Sequence, residues 1–527
     1  MMTKETAAPA IADMSEQMSI RLEKRAKLIE SGREAYPVGF FNAEGQRIEP
    51  DHISAIRAEY EPKLASEELV AGDETEHVVN VVGRVVFGRN TGKLCFATLQ
   101  SGTSGSRIQA MLSLAEVGEE SLAEWKSLVD LGDHVFVSGR VIVSRRGELS
   151  IMVTRWEMAS KALRPLPVLH KDLNEETRVR QRYLDLMVRD EARELVVNRA
   201  KITATVRRVL ENHGYIEVET PILQLIHGGA AARPFETHLN AFDQDMTLRI
   251  ATELYLKRAV VGGIDRVYEI GRVFRNEGVD STHSPEFTTL ECYEAFADQF
   301  IMAERMKEII QSCARAVGTE KIETEAGTID LFGEWAWVGV YPGLSAAVGV
   351  EITPETTAEQ LREIAAQHEV AVDPKWDAEK LVVELFGEIV EPTLINPTFV
   401  YDYPPSAQPL ARPHRSDSHL IEAWDLIIGG MERGTAFSEL IDPVIQRERL
   451  TEQSLKAAAG DDEAMQLDED FLRALEHGAP PMGGIGLGID RLIMLLAGDK
   501  DPEREGVVVR QPGIRETILF PLMKPEA

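Results

Sequence analysis

The chain has 527 residues, 44% of them hydrophobic and 27% charged, with a formal net charge of −30 at pH 7. This length accommodates two or three domains with sizeable cores, and the composition is that of a soluble globular protein. No apolar run approaches bilayer length, the opening MMTKETAAPAIADMSEQM lacks the basic start and apolar core of a secretory signal, and Cys95, Cys292 and Cys313 have no CxxC or Cys/His spacing, which sets aside membrane-spanning, disulfide-framework and zinc-site classes and leaves a cytoplasmic protein as the expectation.

Residues 1–19, short of aromatics and rich in Ala, Thr, Ser and acids, read as disordered. Residues 20–76 form an N-terminal helical segment that opens with the basic RLEKRAKLIESGREAYP and its Gly and Pro stop signals. From 77 to 160 the pattern changes to five short alternating runs, NVVGRVVFGR, KLCFATLQ, RIQAMLSL, HVFVSGRVIVSRRG and ELSIMVTRWEM, with the helix-like AEVGEESLAEWKSLVD between the third and fourth. That order suggests an OB-fold barrel, with another small barrel or sandwich as the alternative. Basic residues slightly outnumber acidic ones between His77 and Val168, with Arg84, Arg89, Lys93, Arg107, Arg140, Arg145 and Arg146 among them. A local basic patch of this kind is compatible with RNA binding despite the overall negative charge.

Residues 161–193 read as a linker, Pro-containing and charged, then helical, and 194–527 as one large domain. Its first element is a helical pattern from Glu194 to His213 with Ile202, Val206, Val209 and Leu210 on one face, followed by GYIEVETPIL and its Pro221. FRNEGVDSTHSPEF, Phe274 to Phe287, lies between DRVYEIGRVF and FTTLECYEAF and reads as strand, loop, strand. Arg275 offers a planar fork for a phosphate or carboxylate oxygen, Glu277 and His283 an acceptor and a donor beside a polyphosphate, and Phe287 a ring to cover a purine. Residues 354–394 read as a helical insertion between strand-like parts, and AWDLIIGGMERG places Asp425 and Glu432 seven apart. Near the end, GGIGLGIDR, Gly483 to Arg491, is a glycine-rich strand running into the helix-like LIMLLAG. Its glycines allow close backbone approach to a ligand, and Arg491 at a helix start aims positive charge at a phosphate or stacks on adenine. Singly, each stretch has a plain structural reading as a hairpin tip, a tight turn or an exposed acid pair; their order and context make the set informative.

Taken in order, the three stretches resemble motifs 1, 2 and 3 of the class II aminoacyl-tRNA synthetases. Resemblance to the bacterial lysyl-tRNA synthetases extends from Ile20 to the closing ETILFPLM, with HGGAAARPFETH, His227 to His238, similar to that family's amino-acid-binding loop and TELYLKR, Thr252 to Arg258, at the expected distance after it. The resemblance implies an α+β protein: an N-terminal OB-fold anticodon-binding domain, then an antiparallel sheet flanked by helices. It further implies ATP-dependent activation of L-lysine, transfer to tRNA(Lys), Mg2+ as cofactor, and a homodimer built on motif 1. The apolar face of Ile202, Val206 and Val209 with the following strand would serve that dimer, although burial inside one subunit explains the same pattern.

Carried over by the resemblance, Arg275 holds the α-phosphate, Arg491 and His283 the outer phosphates, and Glu277 and Phe287 frame adenine; Arg275 and Arg491 carry the catalytic charge neutralisation. Asp425 and Glu432 match the magnesium carboxylates, Glu432 also belonging to the nucleotide site. Glu439 and Tyr293 match the partners of the lysine ε-ammonium, Glu253 and Glu291 a polar wall, Gly229 and Gly486 close backbone contacts, and Phe437 the packing on the aliphatic stem, with Thr435 beside it. A buried ammonium needs carboxylates to receive it, and Glu253, Glu291 and Glu439 are all expected on strands. In the OB domain, Phe96 and Gln109 match the aromatic and amide that read the central anticodon uridine; Phe96 would otherwise be a barrel-core residue.

The chain departs from the common bacterial pattern at Asp425, where glutamate is usual, at Thr435 and Ala436, where asparagine and glycine are usual, at Thr282 and Ser284, in place of arginine and asparagine, and in an extra segment, DKDPEREGVVVRQPG, at 499–513. The alternatives are an aspartyl- or asparaginyl-tRNA synthetase, an acidic substrate requiring a cation that faces its side chain, a lysyl-adenylate-forming paralogue with a non-tRNA acceptor, and a non-catalytic scaffold.

Overall fold

The computed structural model describes residues 15–167, 173–460 and 464–525, so most of the expected disordered start and five residues of the expected linker lie outside the described part. Two compact units, Met1–Glu194 and Leu195–Ala527, make up the chain.

The first unit opens with α1 (Glu16–Glu30), whose N-terminal N–H of Met18 is accepted by the Ser15 side chain. Disorder therefore does not extend to residue 19 as expected: a serine cap starts the helix, and Leu28 anchors it in the core. After α2 (Ile53–Ala65) come β1 (Glu74–Thr91), β2 (Leu94–Ser101), β3 (Ser106–Ser113), α3 (Glu119–Leu128), β4 (His134–Val143) and β5 (Leu149–Ser160). The strands close a barrel in the order β1-β2-β3-β5-β4, with β3 and β5 parallel and the other pairs antiparallel. This is the five-stranded barrel with a helix after the third strand that the alternating runs foretell. The period of two sends Cys95, Ala97 and Leu99 of β2 and Ile108, Ala110 and Leu112 of β3 inward, while Phe96 and Gln109 take the outer face.

From α4 (Asp190–Asn212), whose first turn falls in the first unit, the chain continues through β6 (Ile216–Glu217), α5 (Glu253–Val261), β7 (Arg266–Phe274), β8 (Glu286–Ala295), α6 (Gln299–Val317) and β9 (Ala336–Gly339) to the insertion helices α7 (Ala358–Gln367) and α8 (Ala378–Ile389). Next come β10 (Thr398–Tyr401), β11 (Ala423–Ile427), β12 (Glu432–Ser438), β13 (Met482–Gly488) and α9 (Ile489–Leu496). Eight strands form one sheet in the order β9-β10-β11-β12-β13-β8-β7-β6, antiparallel except for the outermost pair at each end. One face is apolar: Leu290 and Cys292 of β8, Ala436 of β12 and Ile485 and Leu487 of β13 pack with Ile202 and Val206 of α4 and Met302 and Met306 of α6. Alternation then puts Glu291, Tyr293, Thr435, Phe437, Gly484 and Gly486 on the opposite face, which carries the site.

The motif 1 helix face is thus filled from within. Ile202 and Val206 are fully buried and Val209 nearly so in the subunit's own core, which corrects the expectation that this face serves a dimer. Exposed apolar residues remain at Val196 of the helix and in the stretch after it, where Ile216, Ile222, Leu223 and Leu225 are 44–65% accessible. The segment 499–513 supplies two short strands, Asp499–Lys500 and Val507–Arg510, to a four-stranded sheet with Lys321–Thr324 and Gly327–Asp330. Among the described residues, no helix is long and apolar enough to cross a membrane.

Candidate active site

A cavity of about 540 Å³ lies over the polar face of the sheet. Strand register sets its floor. Glu291 of β8 pairs with Gly486 of β13, which pairs with Thr435 of β12, which pairs with Asp425 of β11, so these four positions form one row across the sheet. The adjacent row is Tyr293, Gly484 and Phe437. Glu439 follows β12 by one residue and keeps the strand's alternation, its backbone N–H donating to Met482 O.

At one end of the cavity three carboxylates meet. Glu291 Oε1 accepts from the Thr252 backbone N–H at 2.9 Å, at the start of α5, and its Oε2 accepts from the Tyr293 hydroxyl at 3.1 Å. Burial, aided by the Glu253 charge, pushes the Glu291 carboxyl up to about 7. Glu439, also buried, is pushed up to about 8, with the Lys257 ammonium opposing the shift. Burial, with the neighbouring carboxylates adding to it, raises Tyr293 well above its ordinary value and keeps it a neutral donor. Glu253 is not on a strand as expected. It is the first residue of α5, because Thr252 to Arg258 continues into an apolar helical run, and its carboxylate folds back onto Lys257 one turn later at 2.6 Å. Gly229 has φ of +86°, and a Cβ there would lie 3.1 Å from both the Ala251 and Glu253 Cβ atoms. Only glycine closes that turn without displacing Glu253. At Gly486 a Cβ would meet Thr435 Cγ2 at 3.4 Å.

At the other end the motif 2 loop closes through Arg275 N–H to Pro285 O (2.9 Å) and is tied to the segment His227–His238 by Asn276 N–H to Arg233 O (2.8 Å). The Arg275 guanidinium lies 5.2 Å from the centre of the Phe287 ring. Arg491, on the first turn of α9, donates to Glu432 O at 3.1 Å, approaches Glu432 Oε2 at 3.6 Å and reaches His283 Nε2 at 3.3 Å. His283 Nδ1 is in turn 2.9 Å from Asp280 Oδ2, and Glu277 is exposed at the rim. Arg275, Glu277, His283, Phe287, Glu432 and Arg491 thus line one cavity with the carboxylate cluster.

Asp425 is recessed in the floor between these ends. Burial, with the Glu432 charge adding to it, pushes its carboxyl up to about 7, hydrogen bonding from Thr435 and Tyr403 acting the other way. Among the described residues no three His, Cys, Asp or Glu side chains converge as a self-sufficient metal cage.

Four lining or supporting residues escape the motif reading. Lys257 sits inside the quoted TELYLKR, where its i,i+4 spacing from Glu253 is the available signal. Asp280 orients His283 at i,i+3 spacing. Tyr403 lies beside Asp425 and is kept neutral, burial being the main cause. Arg433 is buried with its Nε donating to Ile428 O at 3.2 Å; nothing in its pattern distinguishes it from a solvated arginine.

In the barrel unit, Phe96 is half-buried on the outer face and absent from the core, so the core reading is overturned. Its cross-strand partners are Met111 and Arg89, and Gln109 sits opposite Thr98, one diagonal step away. The Gln109 amide is engaged: Nε2 donates to Glu148 Oε2 at 2.7 Å. Of the basic residues, Arg140 is paired with Glu74 and Glu116, and Arg84 donates to Gly132 O.

Comparison with known proteins bears directly on this arrangement. The model of the class II tRNA synthetases (D, K and N) matches residues 174–524, and that of the OB-fold nucleic acid binding domain matches residues 79–159. The lysine–tRNA ligase of Kineococcus radiotolerans is 53% identical over 516 residues, covering 97% of this chain and 98% of that protein. The lysine–tRNA ligase of Mycobacterium tuberculosis strain H37Ra is 49% identical over 530 residues, covering 99% and 100%. This chain belongs to the lysine–tRNA ligase family. Membership of the lysine–tRNA ligases accounts for both units, the barrel and the class II sheet. The lysylphosphatidylglycerol biosynthesis bifunctional protein of Mycobacterium avium is also similar, 44% identical over 98% of this chain but only 42% of its own length.

Proposed function

We propose that the cavity holds lysine and ATP end to end, and that the protein, as a lysine–tRNA ligase family member, activates L-lysine to lysyl-adenylate and transfers lysine to the 3′ end of tRNA(Lys). The observation that carries the lysine assignment is the convergence of Glu253, Glu291 and Glu439 with the neutral Tyr293 hydroxyl in one buried pocket. An aspartate substrate would need a cation free to meet its side chain, and here Lys257 is already occupied by two carboxylates.

In this reading Glu439 and Tyr293 receive the ε-ammonium, Glu253 and Glu291 face the α-ammonium side, Phe437 packs on the stem with Thr435 beside it, and Gly229 and Gly486 let the backbone approach. The substrate carboxylate attacks the α-phosphorus in line and pyrophosphate leaves. Arg275 spans carboxylate and α-phosphate, Arg491 and His283 take the outer phosphates, and Glu277 and Phe287 frame adenine, with Arg275 moving off the Phe287 face. The tRNA ribose hydroxyl then attacks the adenylate carbonyl, the acyl–phosphate bond breaks, and AMP leaves as the hydroxyl proton is released. Catalysis is chiefly positioning and charge neutralisation.

The donor set at Asp425 and Glu432 fits magnesium: two oxygen ligands, one of them recessed and short of a compensating cation, with ATP phosphates and water to complete the shell. When bound, the ion neutralises the polyphosphate. Phe96 stacks on an anticodon base and Gln109 reads its edge. The protein works in the cytoplasm as a homodimer, the exposed Ile216, Ile222, Leu223 and Leu225 supplying apolar surface that a second subunit would cover. Calorimetric titration of lysine and of ATP tests the arrangement: lysine binds without ATP, and Glu439→Gln weakens lysine while sparing ATP. A variant that weakens ATP alone would reassign the pocket.

A further inference from the structure

The lysine pocket contains an ammonium of its own. Lys257 is fully buried, with Nζ 2.6 Å from Glu253 Oε1 on its own helix, in contact with Glu439 Oε2 after β12, and 5.9 Å from the centre of the Tyr293 ring on β8. A buried cation is costly unless paired, and this one is paired twice. The charged and titratable groups facing it are Glu253, Glu439, Glu291 and Tyr293. Glu269, next to Glu291 across the sheet, is already held by Arg249 at 2.5 Å and does not enter the balance.

Were all three carboxylates ionised, as pairing with bound lysine favours, the one fixed ammonium would leave two negative charges. Free lysine brings two ammonium groups, and its carboxylate is directed to Arg275 at the nucleotide end. We infer that Lys257 is a positioning residue that sets the pocket's charge to match a substrate with two ammonium groups, orienting Glu253 and Glu439 and favouring the ionised form of Glu439 before lysine arrives. This rests on the lysine-pocket reading above. Lys257 makes no bond and moves no proton in the reaction; it acts through the two glutamates. Without it, Glu439 would hold its proton more tightly, and lysine would displace that proton at greater cost.

The test is the lysine KM in ATP–pyrophosphate exchange from about pH 6 to about pH 8.5 for wild type, Lys257→Met, and Lys257→Met combined with Glu253→Gln. Lys257→Met is expected to raise the lysine KM at neutral pH on the order of tenfold or more and to move the bend of its pH profile upward by about one unit, with the ATP KM unchanged. The double variant, again with two net negative charges, is expected to recover lysine binding relative to Lys257→Met and return the bend toward wild type. A packing role would make the second substitution additive and leave the bend in place, overturning the inference. If neither variant folds, Lys257 belongs to the scaffold and the inference falls. Wild-type exchange with an amino acid other than lysine would instead refute the pocket reading itself, a separate outcome visible before any variant is made.

Discussion

Gly484 leaves vacant the space that the Glu439 carboxylate fills: a Cβ on Gly484 would overlap Glu439 Oε1 and the Tyr293 ring together. The glycine-rich strand is therefore cut to the shape of the carboxylate cluster above it. Gly484→Ala should push Glu439 and Tyr293 out of register, raising the lysine KM by about tenfold with the ATP KM nearly constant; overpacking of this kind costs about 1–3 kcal/mol. Steady-state exchange kinetics with each substrate varied separately decide it, and an unchanged lysine KM would place Glu439 outside the binding pocket.

Glu439→Gln keeps the shape and removes the charge. The loss of lysine affinity should be about 2–5 kcal/mol, the range for leaving one partner of a buried charged pair uncompensated. Because Lys257 also loses a partner, the thermal midpoint should fall in the same variant, and added lysine should restore less of it than in wild type. Calorimetric titration alongside thermal unfolding checks both.

Asp425 gives a pH dependence with a definite sign. Its folded-state carboxyl is raised to about 7 from an ordinary value of 3.8, so the protonated form suits the fold. The associated stability is fully present below the ordinary carboxylate range and is lost as pH rises through 7. Asp425→Asn should therefore be more stable than wild type near pH 8, by an amount on the order of 1–3 kcal/mol and with a correspondingly higher unfolding temperature, the difference vanishing near pH 4. The same variant and Glu432→Ala should both be impaired in adenylate formation and need more magnesium. Normal activation at low magnesium in both would remove them as ligands.

Phe96→Ala should lose about 1–3 kcal/mol of tRNA binding at fixed salt, the worth of one stacked base, while lysine-dependent exchange and the unfolding temperature stay as in wild type. The half-buried outer-face position of Phe96 makes retention of stability the discriminating result.

What the sequence made legible follows from period and order. Alternation in runs such as KLCFATLQ and RIQAMLSL marked both the barrel strands and their inner faces, and the glycine-rich run before Arg491 marked a strand feeding a helix. The readings that failed did so where tertiary packing decides. Glu253 reads as a strand residue from the short extended stretch before it, whereas the apolar run after it packs as a helix. Ile202, Val206 and Val209 present the same stripe whether covered by a partner or by Met302 and Met306, and only the fold shows the latter. Lys257 and Arg433 are charged residues that composition assigns to the surface. Their burial depends on what the sheet brings over them.

In this assignment the three-carboxylate pocket selects lysine. ATP–pyrophosphate exchange measured with each of the twenty amino acids tests it most directly: lysine alone should drive rapid exchange, and preferential exchange with aspartate or asparagine would contradict it.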